Sequence, residues 1–287
     1  MDFKNRVILV TGAGRGLGFA YARALAESGA TVVLQDIGAD SDGRGEDRHV
    51  VEDAAASLRS AGYDAVALHG AIDSREACHR LVQRCVADHE RLDGVIHNAG
   101  WVAYQPVEEI EEEAFERMMA IAAKAPLWLA QAAWPTMKAA GYGRIVLTTS
   151  CRALYPQYVQ KGLAAYAAAK LAAVGIVNVL AAEGGAHGIV VNAISPVAKT
   201  RMWGVLDQPE ELRPSEVAPG VAFLVSSACT EGGWILRAAN GQFHATRSVE
   251  ALGVNYPRDL RGIGAATTEE VAAQWSRIAL ANREPRA

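Results

Sequence analysis

A chain of 287 residues, 51% of them hydrophobic, is long enough to bury the core of one large α/β domain. The simplest expectation is a single domain over 1–287 with residues 240–287 as a C-terminal extension. A formal net charge of −4, from 28 Lys+Arg against 32 Asp+Glu, without a dense basic cluster, argues against nucleic acid or an anionic membrane surface as the partner and leaves small molecules. The opening MDFKNRVILV enters a strand-like run without the apolar stretch and cleavage site of a signal peptide, so a cytoplasmic location is expected.

Arg6 to Val10 reads as a β-strand and leads into Thr11-Gly12-Ala13-Gly14-Arg15-Gly16-Leu17-Gly18, followed by a helical pattern from Phe19 to Ser28. Strand, glycine turn and helix in that order suit a dinucleotide, because glycines let the backbone approach a pyrophosphate and the helix start offers free N–H groups to hold it. Gly12, Arg15, Gly16, Leu17 and Gly18 are therefore candidate cofactor contacts. Thr31 to Gln35 is the next strand and ends in Asp36, which can accept hydrogen bonds from the adenosine ribose hydroxyls and would repel a 2′-phosphate. NAD is expected over NADP. Arg15 is either a counter-charge for a 2′-phosphate or a solvated loop residue.

Gly38 to His49 is polar and glycine-rich, a surface loop near the adenosine end. Val50 to Ala61 reads as a helix, Ala65 to His69 as a strand, Ser74 to His89 as a helix and Gly94 to Asn98 as a strand. Asp73, past a strand end, either bonds the adenine amino group or serves the cap beside Ser74. Asn98, Ala99 and Gly100 close the fourth strand where open α/β sheets bind ligands. The acidic run Glu108 to Glu113 precedes a long helix and serves its dipole. Arg144 to Thr149 is the fifth strand and delivers Ser150, Ile189 to Ala193 the sixth, Ser215 to Ser226 a helix and Trp234 to Ala238 a last strand. Thr267 to Glu270 is a capping-box pattern before a short helix through Trp275 and Ile278.

Leu163 to Ala182 is an apolar run of helix formers interrupted at Tyr166 and Lys170. Four residues apart, they share a helix face, and an ammonium beside a phenol favours the phenolate, which equips the pair for proton transfer. The other reading is an Ala-rich core helix with Tyr and Lys at its rim. Length alone would let this run span a bilayer, but Lys170 near its middle would cost roughly 2.5–3.5 kcal/mol there. The cysteines Cys78, Cys85, Cys151 and Cys229 show neither C-x-x-C pairing nor close histidines, so reduced thiols and no metal site are expected.

With the glycine turn, Asn98-Ala99-Gly100, Ser150 and Tyr166-Ala167-Ala168-Ala169-Lys170 in this order, the chain resembles the short-chain dehydrogenase/reductase family. Within it, the likeness is to the (3R)-hydroxyacyl-CoA dehydrogenase portion of peroxisomal multifunctional enzymes. The long polar loop after Asp36, the segment Pro196 to Met202 with Thr200 four residues past the proline, and the stretch ending near Trp275 carry that likeness. The resemblance implies a doubly wound Rossmann sheet flanked by helices and an NAD-dependent oxidoreductase acting on CH–OH groups. It gives Ser150 the substrate oxygen, makes Tyr166 the general acid/base, and has Lys170 lower the pKa of Tyr166 while holding the nicotinamide ribose. Pro196 and Thr200 join the cofactor contacts, and a homodimer or homotetramer is implied by family habit.

Two departures stand out. Ala122 occupies the position where the family usually has an asparagine, or a histidine in the multifunctional group, that helps hold a proton-relay water. The sixteen-residue interval from Ser150 to Tyr166 is longer than the family pattern by roughly one helical turn, over Pro156 to Gly162. With Trp101, Tyr104, Tyr155, Tyr158 and Trp203 in bordering segments, a partly aromatic pocket is expected, for a hydroxyacyl thioester, a steroid or another bulky secondary alcohol. The reading from a different class is a non-catalytic NAD sensor on the same fold, which Ala122 motivates.

Overall fold

The computed structural model of the chain describes residues 1–205, 209–250 and 252–280. It divides into two compact units, Met1–Thr246 and Arg247–Ala287. In the first unit, strands and helices alternate as β1 (Val7–Thr11), α1 (Gly16–Glu27), β2 (Thr31–Asp36), α2 (His49–Ser60), β3 (Ala65–His69), α3 (Arg75–His89) and β4 (Gly94–His97). They continue with α4 (Glu112–Met119), α5 (Ala125–Ala140), β5 (Gly143–Thr148), α6 (Cys151–Leu154), α7 (Ala164–Gly184), β6 (Ile189–Val197), α8 (Ala218–Val225), β7 (Ile235–Ala239) and β8 (Gln242–Thr246).

The eight strands form one sheet in the order β3-β2-β1-β4-β5-β6-β7-β8, parallel except for the antiparallel β7–β8 pair. Side chains alternate across it with the two-residue period of a strand. Ile8, Val10, Val32 and Leu34 enter the core layer that also holds Leu25 of α1, Leu58 of α2 and Val221 of α8. Val7, Leu9 and Val33 enter the opposite layer, with Val82 of α3, Leu129 of α5 and Val177 of α7. Burial on both faces is why these strands read as unbroken apolar runs. The order reverses between β1 and β4, so connections leave in opposite directions from these neighbours and open a crevice at their carboxyl ends.

Several expectations need correcting. The long helix after Glu113 is interrupted: α4 and α5 are joined by a π-turn, Ala120–Lys124, in which the N–H of Ala125 donates to Ala120 O. β6 continues through Ser195 and Pro196 to Val197 along β7. β8 was not foreseen, although Asn240 and Gly241 between β7 and β8 both take positive φ, 52° and 71°, as a two-residue hairpin turn requires. Ser74, not Asp73, caps α3, its hydroxyl accepting from Ala77 N at 3.2 Å. The long interval between Ser150 and Tyr166 opens with α6, and the extra residues expected over Pro156 to Gly162 begin with a 3-10 turn, Pro156–Tyr158.

Helix α7 with its 3-10 continuation, Ala164–His187, is long and apolar enough to cross a membrane. Here it lies on the sheet and buries Tyr166, Ala169, Lys170, Ala173, Val174 and Val177. In the second unit, α9 (Thr268–Leu280) starts with the expected cap: Thr267 Oγ1 accepts from Glu270 N at 3.1 Å, and the Glu270 carboxylate accepts from Ala266 N at 2.7 Å. The tail from 281 to 287 lies outside the described residues.

Candidate active site

The glycine turn between β1 and α1 is packed too closely for side chains. A Cβ at Gly12, where φ is +63°, would stand 2.7 Å from Ala99 Cα, and one at Gly18 would strike the Gly12 carbonyl. Gly16, at φ +56°, faces Thr200, whose Cγ2 would be 3.3 Å from an added Cβ. The backbone therefore stays exposed toward a crevice of about 1480 Å³, lined along this side by Gly12, Arg15, Gly16, Leu17, Asp36 and Asp73. Asn98, Ala99, Gly100, Pro196 and Thr200 also line it, whereas Gly18 packs behind the turn.

Asp36 ties two segments of the chain together. Its Oδ2 accepts from Gly14 N at 2.9 Å and its Oδ1 from Gly38 N at 2.8 Å, so one carboxylate ties the glycine turn to the start of the following loop. Beside it, Arg15 and Arg201 both donate to Ala39 O, at 2.9 and 2.8 Å. Burial lowers the Arg201 guanidinium from its usual value, as does Arg15, while Asp36 and Asp40 oppose the shift. Arg201 escaped the sequence reading because α1 and the segment after β6 meet only in the fold. The loop was also placed too narrowly: Gly43, at φ +71°, comes so close to the ring of Trp101 that a Cβ there would stand 2.6 Å from it.

Under the turn, Thr11 Oγ1 accepts from Asn98 N (3.1 Å) and Ala99 N (3.2 Å) and lies 3.0 Å from His97 Nδ1. His97 Nε2 lies 2.9 Å from Ile121 O in the π-turn. A carbonyl only accepts, so Nε2 carries the proton and Nδ1 accepts from Thr11, which assigns one neutral tautomer. Burial and the nearby Lys170 push His97 down to about 3, in keeping with that form. Asn98 Nδ2 donates to Gly12 O at 3.1 Å and closes the network.

Ser150, Tyr166 and Lys170 converge at the opposite end of the crevice. Ser150 caps α6, its Oγ accepting from Arg152 N at 3.3 Å, and is hydrogen-bonded to the Tyr166 phenol. Lys170 Nζ donates to Thr148 O at 3.2 Å and stands 5.9 Å from the centroid of the Tyr166 ring. Thr149 Oγ1 donates to Lys170 O at 2.7 Å and fixes this turn of α7 against β5. Burial raises the Tyr166 phenol, opposed by its bond to Ser150 and by the charge of Arg152. Burial alone pushes the Lys170 ammonium down to about 8. The sequence pointed to Lys170 as the charge that eases Tyr166; Ser150 and Arg152 also act on the phenol in that direction.

Of the five aromatics expected at the pocket, Trp101, Tyr158 and Trp203 line it. Tyr104 and Tyr155 instead serve arginines: Arg152 Nη1 donates to Tyr104 Oη at 2.8 Å, and Arg237 lies 5.0 Å from the Tyr155 ring. Ala122 is 1% exposed, in an apolar cluster with Trp101, Met118, Leu163 and Tyr166.

The family model for short chain dehydrogenases matches residues 6–211. The chain is 36% identical over 281 residues to the mouse peroxisomal multifunctional enzyme type 2, covering 97% of this chain but 37% of that protein. It is 31% identical over 278 residues to a short-chain type dehydrogenase/reductase from Mycobacterium tuberculosis, with 96% and 94% coverage. The crystal structure of a short chain dehydrogenase from Mycobacterium avium superposes with a TM-score of 0.83 at 29% identity, over 100% of this chain and 98% of that one. The chain therefore belongs to the short-chain dehydrogenase family of oxidoreductases, which act on CH–OH groups.

Proposed function

We propose that the protein transfers a hydride between NAD and a bulky secondary alcohol or ketone. The observation that carries this reading is the convergence of Ser150, Tyr166 and Lys170 at one end of a crevice whose other end is the side-chain-free turn at Gly12 and Gly16. The nicotinamide supplies the carbon that takes or gives the hydride. The start of α1 offers unpaired N–H groups to the pyrophosphate. Asp36, its two oxygens already aligned by Gly14 and Gly38, has lone pairs left for ribose hydroxyls.

In the direction of oxidation, Ser150 Oγ donates to the substrate oxygen while Tyr166 Oη, as phenolate, accepts its proton. The phenolate must form in a buried site that disfavours it, so the groups that stabilise it decide the rate. Lys170 holds two ammonium N–H donors beyond the one spent on Thr148 O, enough to bind a ribose diol and add positive charge near the phenol.

NAD is favoured because a 2′-phosphate would meet the Asp36 carboxylate. Arg15 and Arg201 both stand beside it, so the preference is modest. The four thiols are free, which supports the reducing cytoplasm, and α7 exposes Leu171 and Val179, an apolar face suited to a homodimer or homotetramer. The crevice, with Trp101, Tyr158 and Trp203 on its walls, suits acyl chains or rings. A panel of secondary alcohols and ketones followed by NADH absorbance tests this reading. Turnover on at least one bulky member is expected, and cofactor binding without any turnover would favour the NAD-sensing alternative.

A further inference from the structure

The charges lining the crevice are sorted by position. In the cofactor half, Arg15 and Arg201 share their surroundings with Asp36 and Asp40. Arg117, Arg152 and Arg237 also line the crevice, whose lining carboxylates Glu27, Asp36, Asp40 and Asp73 lie on α1, at the end of β2 and in the segments after β2 and β3; among the described residues none of the three arginines forms an ion pair. Each is held by neutral groups instead. Arg152 donates to Tyr104 Oη, which in turn donates to Gln160 Oε1 at 2.6 Å. Arg237 on β7 lies over both Tyr155 and Tyr158, 5.0 and 5.3 Å from their centroids, while the two rings meet edge to face at 87°. Arg117 lies 5.6 Å from the Trp101 centroid, and its Nε is buried without a partner.

Aromatic faces and a phenol oxygen position a guanidinium without neutralising it, and most of its five donors stay free. Two half-buried, unpaired guanidiniums beside the segment Cys151 to Gln160, which follows Ser150, are costly to keep unless a ligand supplies the anion. On the reading of the site as a hydride-transfer centre, we propose that the substrate carries an anionic group, carboxylate or phosphate, which Arg152 and Arg237 bind while the reacting carbon lies at Ser150 and Tyr166. Arg152 N already bonds to Ser150 Oγ, so the anion and the reacting oxygen are held by one stretch of backbone. The aromatic pair then packs against the chain that joins them. The protein is thus specific for hydroxy or keto acids, or for phosphate-bearing equivalents.

The test uses three ketones of matched length, 5-oxohexanoate, its methyl ester and 4-oxopentyl phosphate, titrated into the protein–NADH complex and then assayed for NADH oxidation. The expected result is binding of the carboxylate or the phosphate about tenfold or more tighter than the ester, weakening at high salt, with the tighter of the two naming the anion. Arg237→Met should erase the preference, raising KM for the anionic probe with little change in kcat and leaving the ester and NADH affinities as they were. Arg152→Lys, which keeps the charge but loses the fork, should retain part of it. Arg84→Gln, on the far surface and paired with Asp88, controls for overall charge. Equal binding of ester and anions, or an anion preference that survives Arg237→Met, overturns the proposal. An anion preference without NADH oxidation by any ketone leaves the anion site standing and sinks the hydride-transfer reading instead.

Discussion

At Asp36, one carboxylate accepts from Gly14 and Gly38, and on the proposed reading it also repels a 2′-phosphate. Asp36→Ala should therefore change selectivity and stability together. The wild type is expected to bind NAD about tenfold more tightly than NADP, and the variant to narrow that gap, because Arg15 and Arg201 remain. The two orphaned N–H groups should cost about 1–3 kcal/mol, read as a lower urea midpoint. Tighter NADP binding to the unaltered protein, by fluorescence titration, would contradict the role given to Asp36. Residues of this kind were legible in the sequence because their chemistry sits in a local pattern, an acid at a strand end or a glycine turn before a helix. Arg201, Arg152 and Arg237 were not, since a lone arginine acquires meaning only when the fold brings a carbonyl, a phenol or an open crevice to it.

The elements were legible where apolar periodicity was strong and less so where it was broken. β1 to β7 and helices α1 to α3 and α7 fall within a few residues of where the sequence puts them. α4 to α5 reads as one helix because a π-turn costs no residue its helical character; only its hydrogen bonds shift, and Ile121 O is taken by His97. β8 was missed for want of attention to Asn240-Gly241, a hairpin signal present in the sequence. The π-turn also settles what an asparagine would do at Ala122. Its side chain would enter the apolar cluster of Trp101, Met118, Leu163 and Tyr166. Ala122→Asn is therefore expected to destabilise by about 2 kcal/mol, from overpacking and an unpaired amide, and to slow turnover. A chemical melt checks the first and steady-state rates the second; a faster, equally stable variant would show that the cluster has room for an amide and that a relay was missing.

For the molecule as a whole, burying Lys170 sets a pH dependence of stability. The unfolded lysine titrates near 10.5 and the folded one at about 8, so between these values the unfolded chain binds more protons and stability rises with pH. Below about 8 both states are charged and the penalty is constant. Relative to Lys170→Met, whose side chain does not titrate, the wild type should gain stability between pH 8 and 10, by about 1.4 kcal/mol for each unit of separation traversed. A flat difference in urea melts across that range would mean that the ammonium is well solvated in the fold. On the proposed mechanism Lys170 serves both the ribose and the phenol, and Tyr166 carries the proton. The most direct measurement is Tyr166→Phe assayed for NADH production and, on the same preparation, for NADH binding by fluorescence. The account expects turnover to fall by roughly a thousandfold or more while the NADH Kd stays within about threefold of the wild type. Retention of most of the activity on a substrate the wild type turns over would remove Tyr166 from the proton transfer and contradict the mechanism.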